Sequence, residues 1–211
     1  MLKFQSIELT NEQVLCAKAL VDYSMKHHLV SDIYDEQTGG NLTLKYKYRF
    51  TGVLGEIVFA DIYGLPRPTK AFGAVDGQDN GSDFVCVNSD GVSKNIDIKT
   101  MNREKSDIKK NYVHNISKYQ VDKTSSLTDI YFCININMDM EKKCYVASIL
   151  GYFDKKEIGK VGILYRKGAV RKREDGSFLK FHYDTYEIDY TKIKGVDISS
   201  KTKLKIHEKS L

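Results

Sequence analysis

Between Asp83 and Thr100, two apolar-rich runs, Asp83-Phe-Val-Cys-Val and Lys94-Asn-Ile-Asp97-Ile-Lys99-Thr, flank the polar cluster Asn88-Ser-Asp-Gly91. This is the sequence form of a β-hairpin, and it constrains the chain more than any other stretch. Strand side chains alternate, so Ile96 and Ile98 point one way and Asp97 and Lys99 the other. With residues 88–91 as the turn, Val87 pairs with Val92 and Asp83 falls opposite Ile96. One extra residue, a β-bulge, brings Asp83 opposite Asp97 instead. Cross-strand neighbours lie roughly 5 Å apart at Cβ, so the two carboxylates would then converge. Converging anions repel unless a cation lies between them, and hard oxygen ligands suit Mg2+, with Mn2+ as a substitute. Lys99 would stand beside that ion.

At these residues the chain resembles the PD-(D/E)XK nuclease superfamily, the fold of restriction endonucleases. The family pattern is an Asp at the start of one strand, a short hairpin, then Asp or Glu, any residue, and Lys. Asp83, Asp97 and Lys99 occupy those positions, with Ser82 where the family name has Pro and Asp97 where Glu is commoner. The lead-in Asp76-Gly-Gln-Asp-Asn-Gly-Ser-Asp83-Phe is also similar. A further likeness is Gly52-Val-Leu-Gly-Glu56-Ile-Val-Phe-Ala, because the family commonly places a helical Glu before its hairpin. On the residues alone Glu56 is a boundary glutamate in water; the resemblance makes it a third carboxylate acting on the metal or its water.

Size and composition allow this. The chain has 211 residues, 41% hydrophobic, enough for one domain over 1–211 with a sizeable core. The resemblance spans about 49–160, leaving 161–211 as a basic hairpin and a C-terminal strand or tail. No apolar run approaches the roughly 18 residues of a membrane span, and no signal-peptide pattern opens the chain, so a cytoplasmic protein without a membrane partner is expected. Four cysteines without metal-type spacing read as free thiols in a reducing compartment. The net charge of +5 is compatible with a polyanionic partner.

Along the chain, Thr10 and Gln13 form a capping box for a helix over about 11–27. Phe50, Val53, Leu54, Ile57, Val58 and Ile62 recur at helical spacing, and Gly64 followed by Pro66 ends that helix. Residues 31–41 read as a loop. Asp76–Asp83 fails as a calcium loop, because its twelfth position is Val87. Asn102–Lys110 is helix-compatible, and Tyr112–Val121 looks like a further strand or strand edge. On such a strand Lys118 and Gln120 would adjoin the site only if it joined the strand of Asp97. Asp129–Asn137, Lys143–Phe153 and Tyr183–Tyr190 read as strands, and Asp154–Ile158 as a short helix. Arg166, Lys167, Arg171, Lys172 and Arg173 concentrate positive charge in a glycine-bearing segment, either a solvated hairpin or a clamp on a nucleic-acid backbone. Lys192–Lys209 reads as surface or tail.

No Ser-His-Asp or Cys-His set presents itself, and His114 and His182 read as structural. The expectation is an α/β domain with a central mixed β-sheet flanked by α-helices, a restriction-endonuclease-like core. The resemblance implies Mg2+-dependent, endonucleolytic hydrolysis of DNA phosphodiester bonds, by a restriction-type or a phage or repair nuclease. Glu56, Asp83 and Asp97 would hold the metal, and Lys99 would steady the phosphate. A homodimer is admitted alongside a monomer, since double-strand cutters often need one. The alternative is a catalytically inactive nuclease-like domain that only binds nucleic acid.

Overall fold

The computed structural model describes residues 3–27, 39–69, 82–87, 91–103, 112–124, 126–173, 176–198 and 206–210, the last by backbone alone. Its strands are β1 (Lys3–Glu8), β2 (Phe84–Val87), β3 (Ser93–Asn102), β4 (Val113–Ser117), β5 (Ile130–Asp139), β6 (Cys144–Asp154), β7 (Ile163–Tyr165), β8 (Val170–Lys172), β9 (Phe178–Lys180), β10 (Thr185–Asp189) and β11 (Ile206–Ser210). Six of them form a central mixed sheet in the order β11-β1-β6-β5-β3-β2. Among the described residues, only β3 and β5 pair in parallel. The order β4-β10-β7 makes a second sheet, and β8-β9 a separate ribbon.

Helix α1 (Asn11–His27) begins with the expected capping box. Thr10 N–H donates to Gln13 Oε1 at 2.9 Å, and Gln13 N–H to Thr10 Oγ1 at 3.2 Å. Helix α2 (Leu42–Tyr63) starts about two turns before its apolar run, where Asn41 accepts from the Leu44 amide. It stops at Gly64, whose left-handed φ of 66° lets its N–H reach the Ala60 carbonyl. Two short helices follow, α3 (Lys118–Asp122) and α4 (Ile158–Val161). Among the described residues, no helix is long and apolar enough to cross a membrane.

The two faces of the large sheet carry separate cores. Ile96, Ile98, Phe132, Ile134, Ile136, Ala147 and Ile149 pack under α1 and α2, against Val21, Leu54, Ile57, Val58 and Phe59. On the other face Tyr131, Cys133, Leu150 and Phe153 pack against Ile116 and Ile188 of the small sheet, with Tyr190 and Ile158. The β3 and β5 strands thus divide their residues by parity between a helix-covered and a sheet-covered side. All four cysteines are free thiols.

Two expectations are corrected. The predicted strand over Tyr112–Val121 ends at Ser117, and Lys118 and Gln120 sit on α3. Its strand part, β4, pairs with β10 rather than β3, so the condition that would have brought Lys118 and Gln120 to Asp97 is not met. Within 161–211, read as a basic hairpin and a C-terminal strand or tail, residues 206–210 form β11, which pairs with β1. Of the helix-compatible stretch Asn102–Lys110, Asn102 ends β3, and 104–110 lie outside the described residues, as does the segment 70–81.

Candidate active site

The hairpin takes the longer connection. Val87 pairs with Ser93 and Phe84 with Ile96, so the count carries Asp83 to the place opposite Asp97. The ladder is disturbed there: the Asp83 N–H donates to the Ile96 carbonyl at 2.8 Å, one residue out of step. Asp83 Oδ2 then accepts from the amide of Ile98 at 2.6 Å. Among the described residues, no strand pairs with this edge of β3 beyond Ile96. The carboxylate of Asp83 there stands in for a strand carbonyl, at the amide next to Asp97. A short, charge-assisted bond of this kind fixes the side chain.

Asp97 and Lys99 project from the sheet face opposite the helices. Lys99 Nζ lies 2.8 Å from Asp97 Oδ1, and their side chains are only 18% and 13% exposed, respectively. In the parallel register Asp97 lies beside Tyr131, and Lys99 beside Cys133. The Lys99 ammonium stands over the Tyr131 ring, 5.4 Å from its centroid. Burial pushes the Tyr131 hydroxyl and the Cys133 thiol far above their ordinary ranges, so neither supplies a nucleophile. Asp83, Asp97 and Lys99 together carry one net negative charge. A divalent cation added to them leaves one net positive charge, the complement of a phosphodiester.

Glu56 sits on α2, which packs over the helix-covered face of the sheet. Its neighbour Gly55 packs so tightly that a Cβ there would lie 1.9 Å from Thr100 Oγ1. Thr100 follows Lys99 and shares the helix-covered face with Ile98, so α2, which carries Glu56, lies on the face of β3 opposite Asp97. Among the described residues, no three His, Cys, Asp or Glu side chains are grouped as for one metal ion. The donor set that the register sets side by side is Asp83 and Asp97. Two carboxylates fit Mg2+, which retains several waters and commonly completes its shell with substrate phosphate oxygens.

The basic segment divides in two. Arg171 turns inward, with Nε 2.9 Å from Oε2 of the buried Glu187. Burial pushes the Glu187 carboxyl up, and Arg171 pulls it back. Arg166 Nη1 bonds Asp184 Oδ2 at 2.7 Å. The amide of Lys167 and the Arg166 guanidinium hold the Asp184 carboxyl below the usual range. Lys172 and Arg173 remain exposed. Away from the sheet edge, Lys118 pairs with Asp122 on its own helix.

Behind Lys99 lies a polar group that no motif announced. Arg103 continues the Asp97, Lys99, Met101 alternation past the end of β3. Its Nη2 donates to the Tyr190 hydroxyl at 3.0 Å and to the Val113 carbonyl at 2.7 Å. Tyr190 in turn donates to Asn135 Oδ1 at 2.8 Å. The fully buried His114 ring lies 5.4 Å from that of Tyr190, and neither ring nitrogen has a hydrogen-bond partner. Burial, then the fields of Arg103 and Lys99, push His114 down to about 3. Only the parity of Arg103 with Lys99 could have hinted at this group in the sequence; Tyr190 and His114 are distant in the chain.

Comparison of the chain with protein-family models, with curated proteins and with solved structures finds no match.

Proposed function

We propose that this protein is a metal-dependent deoxyribonuclease, an endonuclease of the PD-(D/E)XK kind with a restriction-endonuclease-like core. The observation that carries the reading is the β2–β3 register, which counts Asp83 to the place of Asp97, with Asp83 Oδ2 on the neighbouring Ile98 amide and the Lys99 ammonium 2.8 Å from Asp97. A converging pair of acids with an amine beside it has no packing purpose: apolar residues would fill the same volume at lower desolvation cost.

Asp83 and Asp97 would hold a divalent ion, which supplies Lewis acidity and a more acidic bound water. Asp83, tied to the Ile98 amide, keeps its carboxylate at a fixed place, so little ordering remains for substrate binding to impose. Lys99 neutralises Asp97 and offers a fixed cation to charge developing on the phosphate. Tyr131 supports that ammonium from below without losing its own proton. Glu56 is the third carboxylate of the reading, acting on water at the edge of β3.

Incubation of supercoiled plasmid with Mg2+ tests this. The wild-type chain nicks or linearises it, chelation stops the reaction, and Asp97→Ala and Lys99→Ala each slow it by at least about a hundredfold. Equal cutting by Asp97→Ala would remove the proposal. Binding of DNA without cutting would instead favour a nuclease-like binding domain.

A further inference from the structure

The β8–β9 ribbon has two unlike faces. Its register sets Val170 opposite Lys180, Arg171 opposite Leu179 and Lys172 opposite Phe178. By strand alternation Arg171 and Leu179 share one face, the half-buried one that Arg171 ties to Glu187. Val170, Lys172, Phe178 and Lys180 share the other, and all four are exposed. Phe178 is 68% exposed and Val170 58%. The ribbon is thus anchored from behind, while an aromatic ring and two ammonium groups stand outward.

A single exposed apolar side chain is common, but the Phe178 ring belongs to neither core and shares its face with Val170 and two ammonium groups. We infer that this outer face stacks an unpaired nucleic-acid base on Phe178, with Lys172 and Lys180 taking the adjoining phosphates. The inference rests on the reading of the protein as acting on DNA. Charge decides the occupant: the four outward side chains include two cations and no acid, and Lys167 and Arg173 add further exposed positive charge nearby. Glu174 and Asp175 in the connecting loop lie outside the described residues. A protein partner would more naturally meet an apolar patch rimmed by mixed charge, whereas aromatic rings interleaved with lysines suit a strand whose every base has a π-face. The site then prefers substrates with a base free to stack: single strands, flaps or frayed ends.

The chain contains no tryptophan, so Phe178→Trp installs a single fluorescent reporter at an exposed position. The full chain is titrated in EDTA with single-stranded oligo(dT), with a blunt duplex of equal length, and with heparin, a polyanion without bases. The single strand quenches the indole, and heparin binds without quenching it. Phe178→Ala weakens oligo(dT) binding by about tenfold. The Lys172→Ala, Lys180→Ala pair lowers the slope of log K against log salt by about 1.4. Oligo(dT) binding with an unchanged indole spectrum, or undiminished by Phe178→Ala, overturns the inference. So does a Phe178→Ala variant that loses only self-association in sedimentation, which would give the face to a second copy. Plasmid cleavage is scored in parallel: cutting without stacking removes this surface alone, and stacking without cutting removes the nuclease reading alone.

Discussion

His114 shows how far burial alone can set a residue's behaviour. Its ordinary pKa of 6.5 is lowered to about 3, so the folded chain leaves the ring neutral where the unfolded chain protonates it. Between those values the unfolded state binds more protons, and stability must fall as pH falls through the window. Above pH 6.5 the group contributes no pH dependence. The slope approaches about 1.4 kcal/mol per pH unit. Urea unfolding at pH 6.5 and pH 5 should therefore show the wild type losing about 2 kcal/mol more than His114→Gln. Parallel losses in the two proteins would show that His114 is not held neutral. Among residues, the shared face of Asp97 and Lys99 was legible because strand alternation alone sets it, whereas the place of Asp83 hung on the hairpin register. Arg103, Tyr190 and Asn135 were not legible, because their hydrogen bonds join residues 55 and 87 positions apart, and no local pattern encodes such a pairing.

At the level of elements, the two long helices could be read from their caps: a Thr10–Gln13 box opens one and Gly64 closes the other. The hairpin register could not be chosen from sequence, since a slip of one residue leaves the apolar pattern of so short a strand nearly unchanged. The structure selects the slip that sets Asp83 toward Asp97, and the Asp83–Ile98 bond supplies what the missing ladder pair would have given. The break after Ser117 was equally hidden, because Lys118–Asp122 lacks the length over which a helical period could appear. Contact between α2 and β3 depends on Gly55, where a methyl group would overlap the Thr100 side chain. Although alanine is the better helix former, Gly55→Ala should cost about 1–3 kcal/mol, since Thr100 is stiff at its first torsion and the helix must lift. Adding Thr100→Ala should recover much of that loss, and denaturant unfolding of the double-mutant cycle measures it. Additive effects would mean that the two do not touch.

Taken whole, the molecule sandwiches one mixed sheet between a helical pair and a small antiparallel sheet. Both cores meet at β5, and its neighbour β3, the strand carrying Asp97 and Lys99, lends Ile96 and Ile98 to the helix-side core. The α/β class was legible from the alternation of helical and strand-like runs. The second sheet was not, because β4, β7 and β10 are short and come together only through long-range pairing. The edge role of residues 206–210 was masked by their lysine-rich surroundings, which in isolation read as solvated tail. A rigid edge bearing two acids and an amine is the arrangement on which the functional reading stands. Calorimetric titration of Mn2+ into the full chain tests it most directly, comparing wild type with Asp83→Asn, Asp97→Asn and Lys99→Met. Each Asn variant should weaken binding by at least about tenfold. Lys99→Met should bind as tightly or more tightly, because it removes the ammonium that shares Asp97. Unchanged affinity in both Asn variants would contradict the account.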